Sequence, residues 1–510
     1  MKDLVLTFDI GTQSARAVLV DSGGNILHKT QHRFDEPYFS INPGWAEQRG
    51  EFYWREICAL SLELKRDSGA DWERISGVSI TTIRDTNICV DKDGKPVRPA
   101  ILWLDKREAD TSEPLPLLKA AAFGVAGMSE TVKLIRKISV CNWIMQNEPE
   151  NWKKTYKYLM LSGYMHFCLC GKMVDSTANI IGHVPFDSKK KRWMSKNDLT
   201  YCIFPIPQDK LCELVPPGTV IGGITAKAAQ ETGIAEGTPL VATGSDKGCE
   251  SIGLSCTTPE KAAISFGTTA TIQYTIDRFV EPQRFMPAYA AALGNSWSPE
   301  MEIYRGYWLI AWFTREFGEK ETREASELGV SPEELLNKRL REIPAGCQGL
   351  MMQPYFTPGI TMPRARGSVI GFSDVHTRIH IYRAIIEGIN FALINGMKAL
   401  EKRMGVKTKG VYLAGGGSQS AEICQITADM FGVPVYRTQT HEAAVIGSSM
   451  LTFTALGRFK DIDEAMESMV QIRDSFKPDE EAHRHYEWLY SNVFTKTYKQ
   501  LKPLYDKSYK

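Results

Sequence analysis

Short apolar runs broken by glycine turns set the opening of the chain. Residues 4–9 read as a buried strand, the turn Ile10-Gly11-Thr12-Gln13-Ser14 follows, and residues 15–21 read as a second strand. Ser22-Gly-Gly-Asn25 then turns the chain into a third strand over residues 26–31. This strand-turn-strand-turn-strand opening differs from the βαβ opening of a dinucleotide-binding fold, and no GxGxxG follows the first strand. Apolar residues at helical spacing predict a helix from about residue 51 to 65, and apolar runs predict strands over 75–82 and 88–91. Beyond these the pattern predicts a largely helical middle to about residue 168 and a hairpin-like stretch over 175–179. A Pro/Gly-rich linker over 205–223 and a buried strand over 239–242 follow. The second half partly repeats the opening, with a strand over 261–266, the turn Gly267-Thr-Thr-Ala270 and a returning strand over 271–275. Later a strand from residue 410 runs into Gly415-Gly416-Gly417-Ser418 and then a helix, and the tail from Asp461 reads as charged and helical.

At 510 residues the chain exceeds what one core accommodates. A hydrophobic content of 43% and a charged content of 24% are those of an ordinary globular protein. The formal net charge of +1 gives no electrostatic case for a nucleic-acid partner, and the basic run over 189–192 reads as a solvated loop. Eleven cysteines, an odd number without framework spacing, predict reduced thiols, and the nine histidines show no metal-ligand spacing. The start of the chain runs straight into a strand and no apolar run is long enough to span a bilayer, so the expected location is cytoplasmic, with no membrane partner.

The centre of the chemistry is Thr243-Gly-Ser-Asp246-Lys-Gly-Cys-Glu-Ser-Ile-Gly253. Asp246 falls at or just past the end of the predicted strand over 239–242, where a carboxylate followed by glycines suits a general base; a helix N-cap is the plainer reading. Taken in order, Phe8-Asp-Ile-Gly-Thr-Gln-Ser14, Pro43-Gly-Trp-Ala-Glu-Gln48, Trp103-Leu-Asp-Lys-Arg107, Gly244-Ser-Asp246, Gly267-Thr-Thr269, Gly415-Gly-Gly-Ser-Gln-Ser420 and Glu442-Ala-Ala-Val-Ile-Gly447 resemble the FGGY carbohydrate kinases over nearly the whole chain. Gly367-Ser-Val-Ile-Gly371 followed by His380-Ile-Tyr-Arg-Ala-Ile-Ile-Glu387 is similar to that family's C-terminal signature. The resemblance implies an α/β protein of two actin-like (ribonuclease H-like) domains, each a five-stranded mixed sheet with flanking helices, around a central cleft. The expected division is residues 1–253 for the sugar side and 254–510 for the adenosine side.

By that resemblance Asp9, Gly11, Thr12, Gln13 and Ser14 form a first phosphate loop and Gly267, Thr268 and Thr269 a second. Gly415, Gly416, Gly417 and Ser418 would receive the adenosine of ATP. Asp9 and Asp246 would hold Mg²⁺, through water, and Asp246 would act as the base. Arg84, Asp85, Trp103 and Asp105 would line the sugar site together with Asp246. The expected function is transfer of the ATP γ-phosphoryl group to a hydroxyl of a small sugar or polyol, with a glycerol- or tetritol-like polyol favoured and a pentulose the alternative. A homodimer is implied by resemblance alone. An actin- or chaperone-like ATPase without a sugar acceptor shares the phosphate loops but has no use for Trp103 beside Arg84 and Asp85. A sugar-sensing module that has lost catalysis is opposed by the intact Asp9 and Asp246. The chain departs from the family pattern at Lys247 after the base, at Asp85 where glycerol kinases carry Glu, at Ala421, and at Val140 before Trp143. No P-loop motif occurs.

Overall fold

The computed structural model describes residues 2–283, 286–359 and 362–508. In the N-terminal half, six strands form one sheet: β1 (Leu4–Ile10), β2 (Ser14–Asp21), β3 (Ile26–Arg33), β4 (Ile75–Thr82), β5 (Thr219–Gly223) and β6 (Pro239–Ala242). Their order is β5-β6-β4-β1-β2-β3. The largely apolar β1, broken only by Thr7 and Asp9, lies at the centre, buried at every residue and antiparallel to β2 but parallel to β4. The C-terminal half repeats this with β7 (Lys261–Phe266), β8 (Ala270–Gln273), β9 (Glu300–Ile303), β10 (Gly410–Ala414), β11 (Val435–Thr438) and β12 (Ile472–Phe476). The order is β9-β8-β7-β10-β11-β12, and from β9 the neighbour relations run antiparallel, antiparallel, parallel, parallel, antiparallel. Starting from β3, the first sheet gives the same series. The repeated strand-turn-strand pattern is therefore the visible part of a repeated sheet.

Each sheet holds six strands rather than the expected five, because an antiparallel edge strand extends each one. Those edges are where the sequence misleads. Residues 219–223, read as part of a linker, form β5, and residues 472–476, read as helical tail, form β12. Both are mostly half-buried or exposed, so neither carries the apolar alternation of a covered strand. The stretch over 175–179 is not a hairpin: Val174–Ser176 pairs in parallel with Glu213–Val215, and a 3₁₀ turn follows. The basic run is not wholly solvated either, since the Lys191 ammonium stacks over Trp297, 4.4 Å from the ring centroid.

Helices α1 (Gly50–Ser68), α2 (Leu161–Cys170) and α3 (Asp246–Gly253) belong to the first half, and α4 (Arg378–Met404), α5 (Ala421–Phe431) and α6 (Ala443–Ala455) to the second. The two halves meet where α3 crosses α6. A Cβ at Gly253 would lie 1.9 Å from the Ala443 carbonyl oxygen, and one at Gly447 1.9 Å from that of Cys249, so only glycine permits this approach. Helix α6 also reaches the N-terminal sheet through buried hydroxyls: Ser449 bonds Thr7 at 2.9 Å, and Ser448 bonds Ser79 at 3.0 Å and Thr243 at 3.1 Å. Val5, Val18, Cys249, Ile252, Val445 and Met450 complete this seam as one apolar cluster. His380, set aside as structural, caps α4: its ring accepts from the Thr377 N–H at 3.1 Å.

Candidate active site

Asp246 is the first residue of α3. Strand β6 ends at Ala242, and Thr243, Gly244 and Ser245 lead into the helix, with the Ser245 hydroxyl accepting from the Gly248 N–H at 3.3 Å. Ser245 is thus the N-cap, which leaves the Asp246 carboxylate for other work. One of its oxygens accepts from the Lys247 N–H at 2.8 Å, and the side chain is half-buried. Thr81 donates to the Gly244 carbonyl at 2.9 Å and fixes the turn to β4. The Lys247 side chain runs toward strand β7. Its ammonium donates to the Ser265 hydroxyl and lies 3.5 Å from both oxygens of Glu250. Burial pushes the Glu250 carboxyl up, and Lys247 opposes this.

Asp9 stands near the end of β1, 7% exposed, with one oxygen 3.3 Å from the Arg16 guanidinium. Arg16 in turn pairs with Glu442 at the start of α6, and Lys29 reaches Glu442 at 3.1 Å. Burial drives the Asp9 carboxyl up to about 6. Arg16 opposes that rise, while Glu442 and Asp246 add to it. In the first turn the Gly11 N–H donates to the Ser14 carbonyl at 2.9 Å and the Gln13 carbonyl accepts from Phe34 at 2.9 Å, leaving the Gln13 side chain exposed. The Thr12 hydroxyl accepts from the Trp103 indole N–H at 2.9 Å. The second turn has the same length, three residues between its strands. The Gly267 carbonyl accepts from Tyr307 at 3.0 Å, the Thr268 side chain is exposed, and the Thr269 hydroxyl donates to the Tyr304 carbonyl at 3.3 Å.

The glycine cluster divides into unlike positions. Gly415 has φ +80° and packs on the backbone of Phe266. At Gly416 a Cβ would meet no heavy atom within 4 Å, so the surface there is open. At Gly417 a Cβ would lie 2.2 Å from the Tyr307 ring, which stacks on Phe266. Ser418 is buried and donates to the Gly415 carbonyl at 2.7 Å. An adenosine laid flat on this cluster meets open backbone at Gly416, whereas Gly417 is closed by Tyr307.

Arg84 and Asp85, expected to line the sugar site, do not act as a pair. Arg84 makes a two-pronged ion pair with Glu300 of β9, both N–O distances 2.8 Å, and its guanidinium lies 5.4 Å from the centroid of the Tyr289 ring. Asp85, at φ +46°, accepts from the His183 ring nitrogen Nδ1 at 2.8 Å and from the His183 backbone N–H at 3.1 Å. Burial pushes the Asp85 carboxyl up, but the His183 charge and hydrogen bonds outweigh it and hold it below the ordinary carboxylate range. Burial alone lowers His183, and Asp85 outweighs that to raise it. Asp105 presents no free oxygen, because one accepts from the Arg107 backbone and Nε and the other from the Ala46 N–H and Arg107 Nη2, all within 2.9 Å. Arg107 itself is held between Trp45 and Trp143. Asp105, expected to line the sugar site, here braces the turn that carries Trp103. Glu300, Glu302, Tyr289 and His183 were missed by sequence reasoning. No local motif marks them, since each gains meaning only from a partner far along the chain.

The family comparisons cover both halves. Residues 4–253 match the FGGY family of carbohydrate kinases, N-terminal domain, and residues 262–456 match the C-terminal domain of the same family. The chain belongs to the FGGY carbohydrate kinases. It is 27% identical to a xylulose kinase of Staphylococcus epidermidis over 99% of this chain and 98% of that one. To a gluconokinase of Bacillus subtilis it is 24% identical over 96% and 94%. Among solved structures, xylulose kinase from Lactobacillus acidophilus superposes with a TM-score of 0.82 at 20% identity, covering 99% of both chains. The architecture is accordingly the two-domain actin-like fold, and the protein is an ATP-dependent sugar kinase, a phosphotransferase with a sugar hydroxyl as acceptor.

The residues present also fit a hydrated divalent cation. Among the described residues no group of three or more His, Cys, Asp or Glu side chains gathers into a metal cage. Mg²⁺ needs none, because it keeps several waters and takes one or two carboxylates plus phosphate oxygens. Asp9, raised by burial and by the nearby Asp246, is a carboxylate whose charge a cation would offset. Among the described residues no helix is long and apolar enough to cross a membrane.

Proposed function

We propose that this FGGY kinase phosphorylates the primary hydroxyl of a ketose of about pentulose size, with Asp246 as the base. The observation that carries the reading is the position of Asp246 at the head of α3, N-capped by Ser245, within Coulombic reach of both Asp9 and Arg84. One carboxylate would then serve both the phosphate loops and the acceptor. Asp246 accepts the proton of the attacking hydroxyl as the oxygen moves onto the γ-phosphorus. Asp9 and the two glycine turns would hold ATP and its Mg²⁺, and the cation would neutralise charge on the transferred phosphoryl group. Trp103, tied to Thr12 in the first turn, couples the acceptor wall to the phosphate side. Residues 1–253 then form the acceptor side and residues 254–510 the adenosine side.

A glycerol-like polyol loses ground because the Arg84–Asp85 pair that favoured it is split between Glu300 and His183. Full-length likeness to xylulose kinases supports the ketose instead. The test is acceptor-stimulated ADP release from ATP–Mg²⁺ over ketoses, alditols, aldoses and sugar acids. A pentulose is expected to stimulate most, and Arg84→Ala to raise the acceptor KM about tenfold more than the ATP KM. Equal hydrolysis with every acceptor and with none would return the ATPase reading, and a best response to glycerol would return the polyol.

A further inference from the structure

We propose that Glu300 is a specificity-determining residue that restricts this kinase to uncharged acceptors by occupying the two-pronged face of Arg84, so that acceptors bearing a carboxylate, such as aldonates, are rejected. The proposal rests on the placement of the acceptor beside Arg84. A guanidinium at the mouth of a sugar site is the natural partner of an acceptor carboxylate, because its parallel N–H groups match two carboxylate oxygens. Here that geometry is already filled. Both terminal nitrogens of Arg84 donate to Glu300 at 2.8 Å, and the two side chains are only 16% and 4% exposed.

Glu300 does not reach Arg84 as a loose surface arm. It opens β9, where its backbone is in register with Gln273. The segment before it is fastened to the N-terminal half, since Ala290 packs with Ile101, Trp143, Ile180 and Val184. Trp297 donates its indole N–H to the Ser188 carbonyl at 2.8 Å. Tyr289, from the same segment, lies under the guanidinium. The carboxylate is therefore carried by the C-terminal sheet and held against Arg84 by contacts with the other half.

The surroundings are acidic as well. Asp246 lies within Coulombic reach of Arg84, and Glu302 within reach of Glu300, Arg84 and Asp85. Burial and the charge of Glu300 both push the Glu302 carboxyl up, and one more carboxylate beside Arg84 would face the same burial and charge. A neutral acceptor escapes that penalty. Arg84 has five N–H groups and spends two on Glu300, so a hydroxyl can still accept from the rest and donate to the carboxylates.

The experiment compares kcat/KM for a neutral sugar and for the aldonate of the same carbon skeleton, in the unmodified protein and in Glu300→Gln, Glu300→Asp and Arg84→Gln/Glu300→Gln. The unmodified protein is expected to favour the neutral acceptor by at least about 100-fold, and Glu300→Gln to shrink that ratio by about 10-fold or more. Glu300→Asp keeps the charge and should keep the preference, while adding Arg84→Gln should abolish the gain. A ratio that stays within about twofold in Glu300→Gln overturns the proposal, as does efficient turnover of an aldonate by the unmodified protein. If Glu300→Gln does not fold, competition decides on the unmodified protein: an aldonate that competes with the sugar as tightly as its neutral counterpart overturns it. Should no acceptor of any kind stimulate ADP release, the acceptor placement fails and this inference with it. Should a neutral acceptor work while the ratio does not move, only the role of Glu300 fails.

Discussion

In the N-terminal half, β1 ends Asp9-Ile10 before its glycine turn; in the C-terminal half, β7 ends Ser265-Phe266 before its own. The two hairpins occupy the same place in matching sheets, each at the centre and each returning antiparallel. Two residues before the glycine, however, one carries a buried carboxylate and the other a hydroxyl. Asp9 is raised to about 6 by burial and faces Arg16, whereas Ser265 donates to Glu250 at 3.0 Å and accepts from Lys247. Lys247 is linked to both, bonded to Ser265 and within Coulombic reach of Asp9. The repeated scaffold thus supplies two glycine turns, and only the first follows a carboxylate, the group a divalent cation would take. Ser265, in the strand before the second turn, anchors the helix that carries Asp246 through Lys247 and Glu250.

The largest break is expected at Asp246, the proposed base. Asp246→Asn should lower kcat by about 10²–10⁴-fold while leaving the ATP Kd near its original value. Single-turnover rates and nucleotide titration check this, and substantial residual transfer would remove Asp246 as the base.

Asp9→Asn makes the first hairpin resemble the second, and its two effects should oppose each other. Activity should fall and more Mg²⁺ should be needed. The ligand-free protein should gain stability, because a carboxyl raised from 3.8 to about 6 disfavours its own charged form in the fold. The sign follows from the rise: the penalty is full above about pH 6 and fades as pH falls toward 3.8. The gain in Asp9→Asn should therefore be largest at neutral and alkaline pH, about 2–3 kcal/mol, and vanish by about pH 4. Thermal or denaturant unfolding across that range tests it.

The glycine cluster sharpens the contrast between open and closed backbone. Gly416→Val should weaken ATP binding by about tenfold with little loss of stability, since its Cβ meets empty space where the adenosine is placed. Gly417→Val should instead cost about 1–3 kcal/mol of stability through collision with Tyr307. Equal effects of the two on nucleotide affinity would refute the division. The smallest effect is expected from Ser265→Ala, which removes one buried hydrogen-bond partner of Glu250 and Lys247 and should cost about 1–2 kcal/mol. A loss of Mg²⁺ dependence in that variant would show that the second hairpin does share the metal role.

Much of the site could be read along the chain. The glycine turns, Asp9, Asp246 and the Gly415–Gly417 cluster each follow an apolar run, and a central strand buried on both faces cannot avoid such a run. The sequence by itself therefore determined the central strands, the repeat, the order of the motifs and the family they imply. It could not supply the edge strands β5 and β12, which are covered on too few sides to carry a hydrophobic pattern. Nor could it supply partners. Arg84 and Asp85 are adjacent in the chain, yet one is claimed by Glu300, 216 positions away, and the other by His183, 98 positions away. Asp105 looks like a site residue until Arg107 and Ala46 are seen to occupy both its oxygens. Strand burial is a property of a local run of residues, so the chain records it locally. The charge and hydrogen bonding left over for a ligand depend on which distant groups the fold brings within about 3 Å, and that only the tertiary structure decided.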